Sequence, residues 1–229
     1  MRLAAFCSLR PRRPYRRYRL YRLLSPVSAP FSGLAVDFVG SFPDPLVSLT
    51  PSLPEVAFIG RSNVGKSSLL NSLVGRPIAR VSATPGKTTL LNAYRLPSFY
   101  LVDLPGYGFA RAGKAARAGY RALVTRYLRQ RPRVAGVVWL LDIRHSPSPD
   151  DREFQQLLVE SERPVLAALT KADKLPRGLR AAQVRTLAHE LALPEDQVQP
   201  TSSRTGEGIQ DLADALLQII GADGAKERA

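Results

Sequence analysis

Apolar runs alternate with amphipathic segments from residue 55 to residue 221 of the chain. The runs 137–141 and 165–169 are continuously apolar, which is typical of strands that are buried on both faces. Apolar residues recur at helical spacing over 211–220, which predicts a helix with one buried face. The pattern predicts strands over 55–59, 90–96, 99–103, 134–142, 165–170 and 197–200, and helices over 66–74, 115–130, 150–161, 180–191 and 209–220.

The order of these elements predicts the fold class. Strands that alternate with helices indicate an α/β fold, here a three-layer, doubly wound, mostly parallel sheet of about six strands with helices on both faces. No internal repeat and no second domain are visible in the sequence. We expect a folded domain over 51–221, a basic, disordered extension with a proline-rich linker over 1–50, and a short tail over 222–229.

Composition excludes several classes of protein. The 229 residues are 45% hydrophobic and 23% charged, as in globular proteins with a core. A single cysteine, Cys7, excludes an intrachain disulfide, and with only two histidines it excludes a Cys/His zinc cluster. No apolar run approaches the roughly 20 residues needed to span a bilayer.

The net charge of +14 is concentrated partly at the N-terminus. Residues 1–36 hold eight arginines and no acidic residue, so the remainder of the chain carries +6. Three interpretations of the N-terminal segment stay open: an organellar transit peptide, an arginine- and tyrosine-rich arm that binds nucleic acid, and an extension without a function of its own.

A glycine-rich loop follows the first predicted strand and leads into the first predicted helix. Its pattern of glycine, four residues, glycine, lysine and serine is the one that cradles phosphates. The loop N–H groups and the helix N-terminus point at the anion, Lys66 supplies a cation, and the Ser67 hydroxyl can bind Mg²⁺. This phosphate loop comprises Gly60, Arg61, Ser62, Asn63, Val64, Gly65, Lys66 and Ser67.

Two further loops lie at the edge of the predicted sheet where ligands of such folds bind. In the first, Thr88 can complete Mg²⁺ coordination when a γ-phosphate is present and release it afterwards. In the second, Asp103 can hold Mg²⁺, usually through water, and the Gly106 N–H can meet the γ-phosphate. The first loop contributes Gly86, Lys87, Thr88, Thr89 and Leu90, and the second contributes Asp103, Leu104, Pro105 and Gly106.

Two motifs nearer the C-terminus indicate which base is bound. The Asp173 carboxylate can accept hydrogen bonds from guanine N1 and N2, a pair of donors that adenine lacks, and Lys171 can lie along the base and ribose. A backbone N–H in the loop 201–203 can meet guanine O6. The predicted base site comprises Thr170, Lys171, Ala172, Asp173, Thr201, Ser202 and Ser203.

In combination these motifs resemble those of the small Era-like (TrmE–Era–EngA–EngB-type) P-loop GTPases, and within them the EngB (YihA/YsxC) group. The resemblance covers residues 36–221 and includes threonine at position 170, a residue that is typical of the EngB group at this position. It is carried by Glu55-Val56-Ala57-Phe58, the phosphate loop with Ser68, Thr84-Pro85-Gly86-Lys87-Thr88, Asp103-Leu104-Pro105-Gly106-Tyr107-Gly108, Asp142-Ile143-Arg144-His145 and Thr170-Lys171-Ala172-Asp173-Lys174-Leu175.

The resemblance implies a small G domain that binds and hydrolyses GTP with Mg²⁺ and acts in assembly of the large ribosomal subunit. It also implies a link to cell division and septation. Lys66, Thr88 and Gly106 are the expected catalytic residues, and Ser67, Thr88 and Asp103 the expected Mg²⁺ ligands. We expect a monomer in the bacterial cytoplasm, with an organellar relative as the alternative.

Two positions bear on the rate of hydrolysis. Tyr107 stands where Ras-like proteins place a water-orienting glutamine, and an aromatic ring cannot orient water through an amide. We therefore predict slow intrinsic turnover that a partner or a monovalent cation raises. Asn63 stands where some relatives hold K⁺ near the phosphates, so K⁺ is a candidate cofactor.

The stretch 111–133 is basic, contains no acidic residue, and interleaves Tyr120 and Tyr127. Such a face suits contact with RNA phosphates and stacking on bases, so we expect it to contact ribosomal RNA; a solvated helix surface is the alternative. The competing functions are an RNA-binding module with a vestigial nucleotide site and a P-loop ATPase or kinase. The basic residues are Arg111, Lys114, Arg117, Arg121, Arg126, Arg129, Arg131 and Arg133.

Overall fold

The computed structural model describes residues 29–80, 90–108 and 113–226. The arginine-rich part of the expected N-terminal extension and the loop that carries Thr88 lie outside the described residues. Within those ranges the strands are β1 Asp37–Phe42, β2 Glu55–Gly60, β3 Leu91–Arg95, β4 Tyr100–Asp103, β5 Val134–Asp142, β6 Val165–Thr170 and β7 Val198–Pro200. The α-helices are α1 Lys66–Val74, α2 Lys114–Gln130, α3 Pro149–Ser161, α4 Arg177–Glu190 and α5 Ile209–Lys226.

All seven strands of the described residues form one mixed sheet in the order β1-β3-β4-β2-β5-β6-β7. The strand β2 lies parallel to β4 and β5, and β5, β6 and β7 continue in the same direction. The strands β1 and β3 pair antiparallel, as do β3 and β4. The predicted α/β, mostly parallel sheet is confirmed.

Helices cover both faces of the sheet. Because successive residues of a strand point to opposite faces, β5 contributes to two separate cores. Trp139 packs in the core formed with α2, α3 and α4, whereas Leu140 packs in the core formed with α1 and α5. This arrangement accounts for the continuous apolar run of β5, and it gives the three layers that the sequence predicts.

The strand β1 was not predicted from the sequence. It lies at the sheet edge, exposes most of its side chains, and changes register between Phe38 and Gly40. Backbone pairing with β3 rather than side-chain burial holds this strand, so its sequence carries no apolar run. The expectation that residues 1–50 form only an extension and linker therefore does not hold for 37–42, and we propose that the folded domain begins before Asp37.

Two helix ends also differ from the prediction. The helix α4 begins at Arg177, ahead of the predicted start at 180, and α5 continues to Lys226 rather than ending at 220. The second difference places part of the expected tail 222–229 in a helix. Among the described residues, no helix has both the length and the apolar character needed to cross a membrane.

A buried polar cluster ties α2 to the end of the sheet that is farthest from the predicted site. The Glu55 carboxylate accepts hydrogen bonds from Arg131 Nε (2.6 Å to Oε2) and from the Tyr127 hydroxyl (2.8 Å). Arg131 also donates to the carbonyl oxygens of Pro45 and Val47. Glu55, Tyr127 and Arg131 are all buried, so this cluster belongs to the framework and not to the functional surface.

Candidate nucleotide-binding site

The phosphate loop connects the buried end of β2 to the first turn of α1. Asn63 and Gly65 both adopt left-handed backbone angles, with φ of 63° and 109°, which asparagine tolerates and glycine takes up without cost. Val64 between them is held by the end of β6, because its carbonyl oxygen accepts a hydrogen bond of 2.7 Å from Thr170 Oγ1. The loop thus turns so that α1 begins at Lys66, and its N-terminus is suited to an anion.

Lys66 and Asp103 form an ion pair at the centre of the site. The Lys66 ammonium contacts Asp103 Oδ1, and the two side chains are only 12% and 6% exposed. These are the side chains predicted to hold the outer phosphates and Mg²⁺ respectively. Each of these two charges neutralises the other.

The donor set beside this pair fits Mg²⁺. Ser67 lies in the first turn of α1, and Asp103 reaches the same helix N-terminus through its contact with Lys66. A hydroxyl and a carboxylate are hard oxygen ligands, and Mg²⁺ held by one or two such groups takes its remaining ligands from phosphates and water. The third expected ligand, Thr88, and the neighbouring Gly86, Lys87 and Thr89 lie outside the described residues.

The segment after β4 runs alongside the phosphate loop. Leu104 donates its N–H to the Phe58 carbonyl oxygen (3.1 Å), and the side chains of Leu104 and Pro105 are buried. These two residues can therefore offer only backbone groups to a ligand. Gly106 follows at the surface of the phosphate loop, where a Cβ on it would lie 3.1 Å from the Ser62 nitrogen. Leu90, which immediately precedes β3, is half-buried.

Lys171 links the predicted base site to the phosphate loop. Its ammonium donates to the Asn63 carbonyl oxygen at 2.9 Å and pairs with Asp142 Oδ2 at 2.9 Å. Partial burial by itself would raise the pKa of Asp142, but hydrogen bonds from Arg144 and Lys171 outweigh it and hold that pKa well below its usual range. Asp142 is therefore ionised at neutral pH and fixes the direction in which Lys171 points.

Asp173 lies in the short 3-10 turn Ala172–Lys174 that follows β6, and side chains of the loop after β7 hold its carboxylate. Ser202 Oγ donates to Asp173 Oδ1 at 2.7 Å, and Arg204 Nε donates to Oδ2 at 2.8 Å. The Ser202 hydroxyl and the Arg204 guanidinium lower the pKa of Asp173. The carboxylate is thus ionised and oriented, as an acceptor for two guanine N–H groups must be. Its second oxygen is shared with an arginine side chain that is 70% exposed.

The remaining base-site residues hold these two loops together. Ala172 donates its N–H to the Thr201 carbonyl oxygen (3.0 Å). Thr201 in turn donates its N–H to the Leu169 carbonyl oxygen (2.7 Å). Thr201 and Ser202 are fully buried, whereas Ser203 is exposed. The sequence analysis assigns no role in the site to Asp142, Arg144 or Arg204, although Asp142 ends a strand in the same way as Asp103.

Tyr107 lies in the core and not in the nucleotide site. Its side chain is 5% exposed and stacks on Phe154, with ring centroids 4.7 Å apart. It stands at the predicted position for a water-orienting residue, but its hydroxyl donates to Asp151 Oδ1 and accepts from Trp139 Nε1 in the core. No side chain at position 107 is therefore available to a water molecule in the site.

The described residues of α2 offer less free basic and aromatic surface than the RNA-binding prediction assumes. Tyr127 and Arg131 are buried, and Tyr120 is half-buried, so these aromatic rings are not available to stack on bases. Arg121 and Arg129 form ion pairs across to Glu153 and Glu160 on α3, and Arg126 lies 3.8 Å from Asp44. The helix had been expected to be a free basic surface because its acidic partners lie elsewhere in the sequence.

Comparison with known proteins gives a consistent result. A family model described as "50S ribosome-binding GTPase" matches residues 55–171. The "Probable GTP-binding protein EngB" of Gemmatimonas aurantiaca is 48% identical over 171 residues, which cover 74% of this chain and 84% of that protein. The protein of the same name from Heliobacterium modesticaldum is 45% identical over 168 residues, covering 72% and 82%.

Solved structures agree with the fold. The crystal structure of a probable GTP-binding protein engB matches with a TM-score of 0.64 at 25% identity and covers 73% of this chain and 99% of that one. Aquifex aeolicus Era, crystallised with GDP and AlF4−, matches with a TM-score of 0.60 at 22% identity and covers 74% and 57%. At that identity, the second likeness bears on the fold alone.

Proposed function

The chain belongs to the EngB family of P-loop GTPases, and from that premise we propose that residues 60–67 bind GTP and GDP with Mg²⁺ as part of a slow molecular switch. Membership of this family makes the chain a GTP-hydrolysing enzyme. The observation that carries the site assignment is the Lys66–Asp103 ion pair at the N-terminus of α1. Asp173, with its carboxylate oriented for guanine, supports the choice of base.

Hydrolysis at this site relies on positioning and on neutralisation of charge. With nucleotide bound, Lys66 would contact the outer phosphates in place of Asp103, and the Asp103 carboxylate and the Ser67 hydroxyl would hold Mg²⁺. Mg²⁺, when bound, supplies positive charge against the phosphate oxygens. Gly106 offers its N–H to the γ-phosphate, and Thr88 completes the set of protein ligands. Lys66, Thr88 and Gly106 are accordingly the proposed catalytic residues.

We propose that unaided turnover is slow and that K⁺ raises it. The burial of Tyr107 leaves position 107 without a group that could orient the attacking water. Asn63, in contrast, is exposed in the phosphate loop, and its side-chain oxygen is a suitable ligand for a monovalent cation.

Hydrolysis should therefore be faster in K⁺ than in Na⁺, and Asn63→Ala should abolish the difference. Losing one such preorganised group from the transition state is expected to cost about 10²-fold in rate. The measurement is phosphate release at equal ionic strength in the two salts. Equal rates in K⁺ and Na⁺ for the unsubstituted protein would exclude a role for K⁺.

We further propose that the large ribosomal subunit is the partner, in a bacterial cytoplasm. The description of the matching family model supports this partner, and the basic balance of the chain suits rRNA. The resemblance also implies a link to cell division and septation, which normal septa in depleted cells would contradict. The alternative, an RNA-binding module with a vestigial nucleotide site, is disfavoured by the close approach of Lys66 and Asp103.

On this proposal, the exposed part of α2 contacts rRNA. Arg117 is exposed, and Arg121 is paired with Glu153 in a surface ion pair. Surface pairs contribute about 0–1 kcal/mol to stability, so a phosphate can replace the carboxylate at small cost. Arg117→Ala combined with Arg121→Ala should weaken binding of the GTP-analogue form to large subunits about tenfold and reduce the log–log salt slope by about 2.

The matched control lies on α4, where Arg177 and Arg185 are also exposed. Arg177→Ala combined with Arg185→Ala makes the same change in net charge on a different helix. Sedimentation of both double variants with purified large subunits over a salt series separates the two surfaces. Unchanged binding of the α2 variant, or an equal loss in both variants, would reject α2 as the contact surface.

A further inference from the structure

The hydroxyl of Tyr107 is held in the core both as a hydrogen-bond donor and as an acceptor. Its hydroxyl donates to Asp151 Oδ1 at 2.8 Å and accepts from Trp139 Nε1 at 2.7 Å. Burial, with the nearby Asp151 carboxylate, raises the pKa of Tyr107 well above its usual value. The phenol therefore stays protonated and remains a donor, and its ring is clamped against Phe154.

Asp151 is itself fixed by the start of α3. Its Oδ2 atom accepts from the Ser148 N–H at 2.8 Å and from Ser148 Oγ at 2.6 Å. The Ser148 hydroxyl in turn caps the helix by accepting from the Asp151 N–H. The carboxylate that accepts the Tyr107 hydrogen bond is thus part of a capping box. The fixed carboxylate leaves the Tyr107 hydroxyl little freedom to move.

The backbone of Tyr107 is fixed by the phosphate loop. Its N–H donates to the Gly60 carbonyl oxygen at 3.2 Å, and its carbonyl oxygen accepts from the Ser62 N–H at 2.9 Å. Gly106 therefore lies between a residue anchored in the core and the loop that binds phosphate. Its N–H direction is set by these two attachments, because Gly106 itself has no side chain to hold it.

We infer that Tyr107 is a positioning residue that fixes the Gly106 N–H for the γ-phosphate, and so determines how strongly the protein prefers GTP to GDP. This inference rests on the proposed function, since it requires a guanine nucleotide in the phosphate loop. GDP has no γ-phosphate, so its binding does not depend on Gly106. A displaced Gly106 weakens triphosphate binding and hydrolysis while diphosphate binding is preserved.

Tyr127 provides a matched control. It is also buried, and its hydroxyl also donates at 2.8 Å to a buried carboxylate, that of Glu55. Its hydrogen-bonded cluster with Glu55 lies at the opposite end of the strands, remote from the phosphate loop. Tyr107→Phe and Tyr127→Phe thus remove the same chemical group from equally buried settings, and only the first can move Gly106.

The test is to measure Kd for GDP and for a non-hydrolysable GTP analogue with Mg²⁺, and the rate of hydrolysis, for both variants. For Tyr107→Phe we expect GDP affinity within about twofold of the unsubstituted protein, and analogue affinity and kcat each reduced about tenfold. For Tyr127→Phe the ratio of the two affinities should not change. An unchanged ratio in Tyr107→Phe would overturn the inference.

A second variant keeps the inference testable if Tyr107→Phe does not fold. Trp139→Phe removes the bond from the indole N–H together with part of a buried ring, but leaves the bond from Tyr107 to Asp151 in place. It should therefore shift the ratio in the same direction by a smaller amount, and no shift would count against the inference. Trp139 is the sole tryptophan of the chain. Its emission should differ between GDP and the analogue in the unsubstituted protein and lose that difference in Tyr107→Phe. Failure of the unsubstituted protein to bind either nucleotide would instead reject the proposed function.

Discussion

Replacing Lys66 by alanine should lower GTP hydrolysis about 10³-fold and weaken nucleotide binding about 10²-fold. The first loss reflects the cation that would stabilise the developing charge on the γ-phosphate. The second corresponds to one charge-assisted contact of about 1.5–3 kcal/mol. Phosphate release and equilibrium titration with labelled GDP measure the two effects. Lys174→Ala, which removes an exposed lysine outside the phosphate site, is the control and should change neither.

Lys66→Ala should also lower the stability of the protein. Asp103 is 6% exposed and has Lys66 as its ion-pair partner, and removing one member of a buried pair costs about 3–5 kcal/mol. Lys66→Ala combined with Asp103→Asn removes that unpaired charge. The double variant should recover stability and remain inactive. Recovery of activity would show that the lysine acts through folding and not on the phosphates.

Replacing Asp173 by asparagine should weaken GTP and GDP binding about 10²–10⁴-fold and shift preference to xanthine nucleotides. Two hydrogen bonds to an ionised acceptor are worth about 3–6 kcal/mol together. An asparagine amide presents a donor to the guanine N–H groups but can pair with the carbonyl oxygen that xanthine carries at C2. Competition of GTP and XTP against a labelled nucleotide measures the exchange. Retained guanine preference in the variant would remove Asp173 from the base site.

Arg204 provides the control for this experiment. It holds the second oxygen of Asp173 from a largely exposed position, so Arg204→Ala frees that oxygen without altering the carboxylate. Guanine preference should be retained in this variant. A loss as large as that of Asp173→Asn would mean that the arginine, rather than the carboxylate, recognises the base.

Two hydrogen bonds join the base site to the phosphate loop. Thr170 bonds to the carbonyl oxygen of Val64, and Lys171 bonds to that of Asn63. Both attachments lie within the protein and involve no ligand atom, so they favour a preorganised site on this side. The Lys66–Asp103 pair is the part that has to rearrange.

The features that could be predicted from the sequence are those with a local pattern. The phosphate loop has a fixed spacing, and the buried strands have continuous apolar runs, so both were recognised along with the α/β fold. The edge strand β1 lacked such a run because backbone pairing holds it. The apolar spacing predicts that helix α5 ends at 220, whereas the helix continues to Lys226.

The functions of single side chains were harder to predict when their partners are distant in sequence. Tyr107 was interpreted from its position in a loop motif, yet Trp139 and Asp151 draw it into the core. Arg131 was counted with a basic surface, yet it is buried against Glu55. In each case the contact joins residues more than 30 positions apart, and no local pattern records it.

The central claim is that residues 60–67 and Asp173 together form a site for guanine nucleotides. Competition of GTP, GDP and ATP against labelled GDP, with and without Mg²⁺, tests it most directly on the unsubstituted protein. We predict that GTP and GDP displace the label, that Mg²⁺ strengthens GTP binding more than GDP binding, and that ATP does not compete even at a concentration about 10²-fold higher. Displacement by ATP at the same concentrations as GTP would contradict the account.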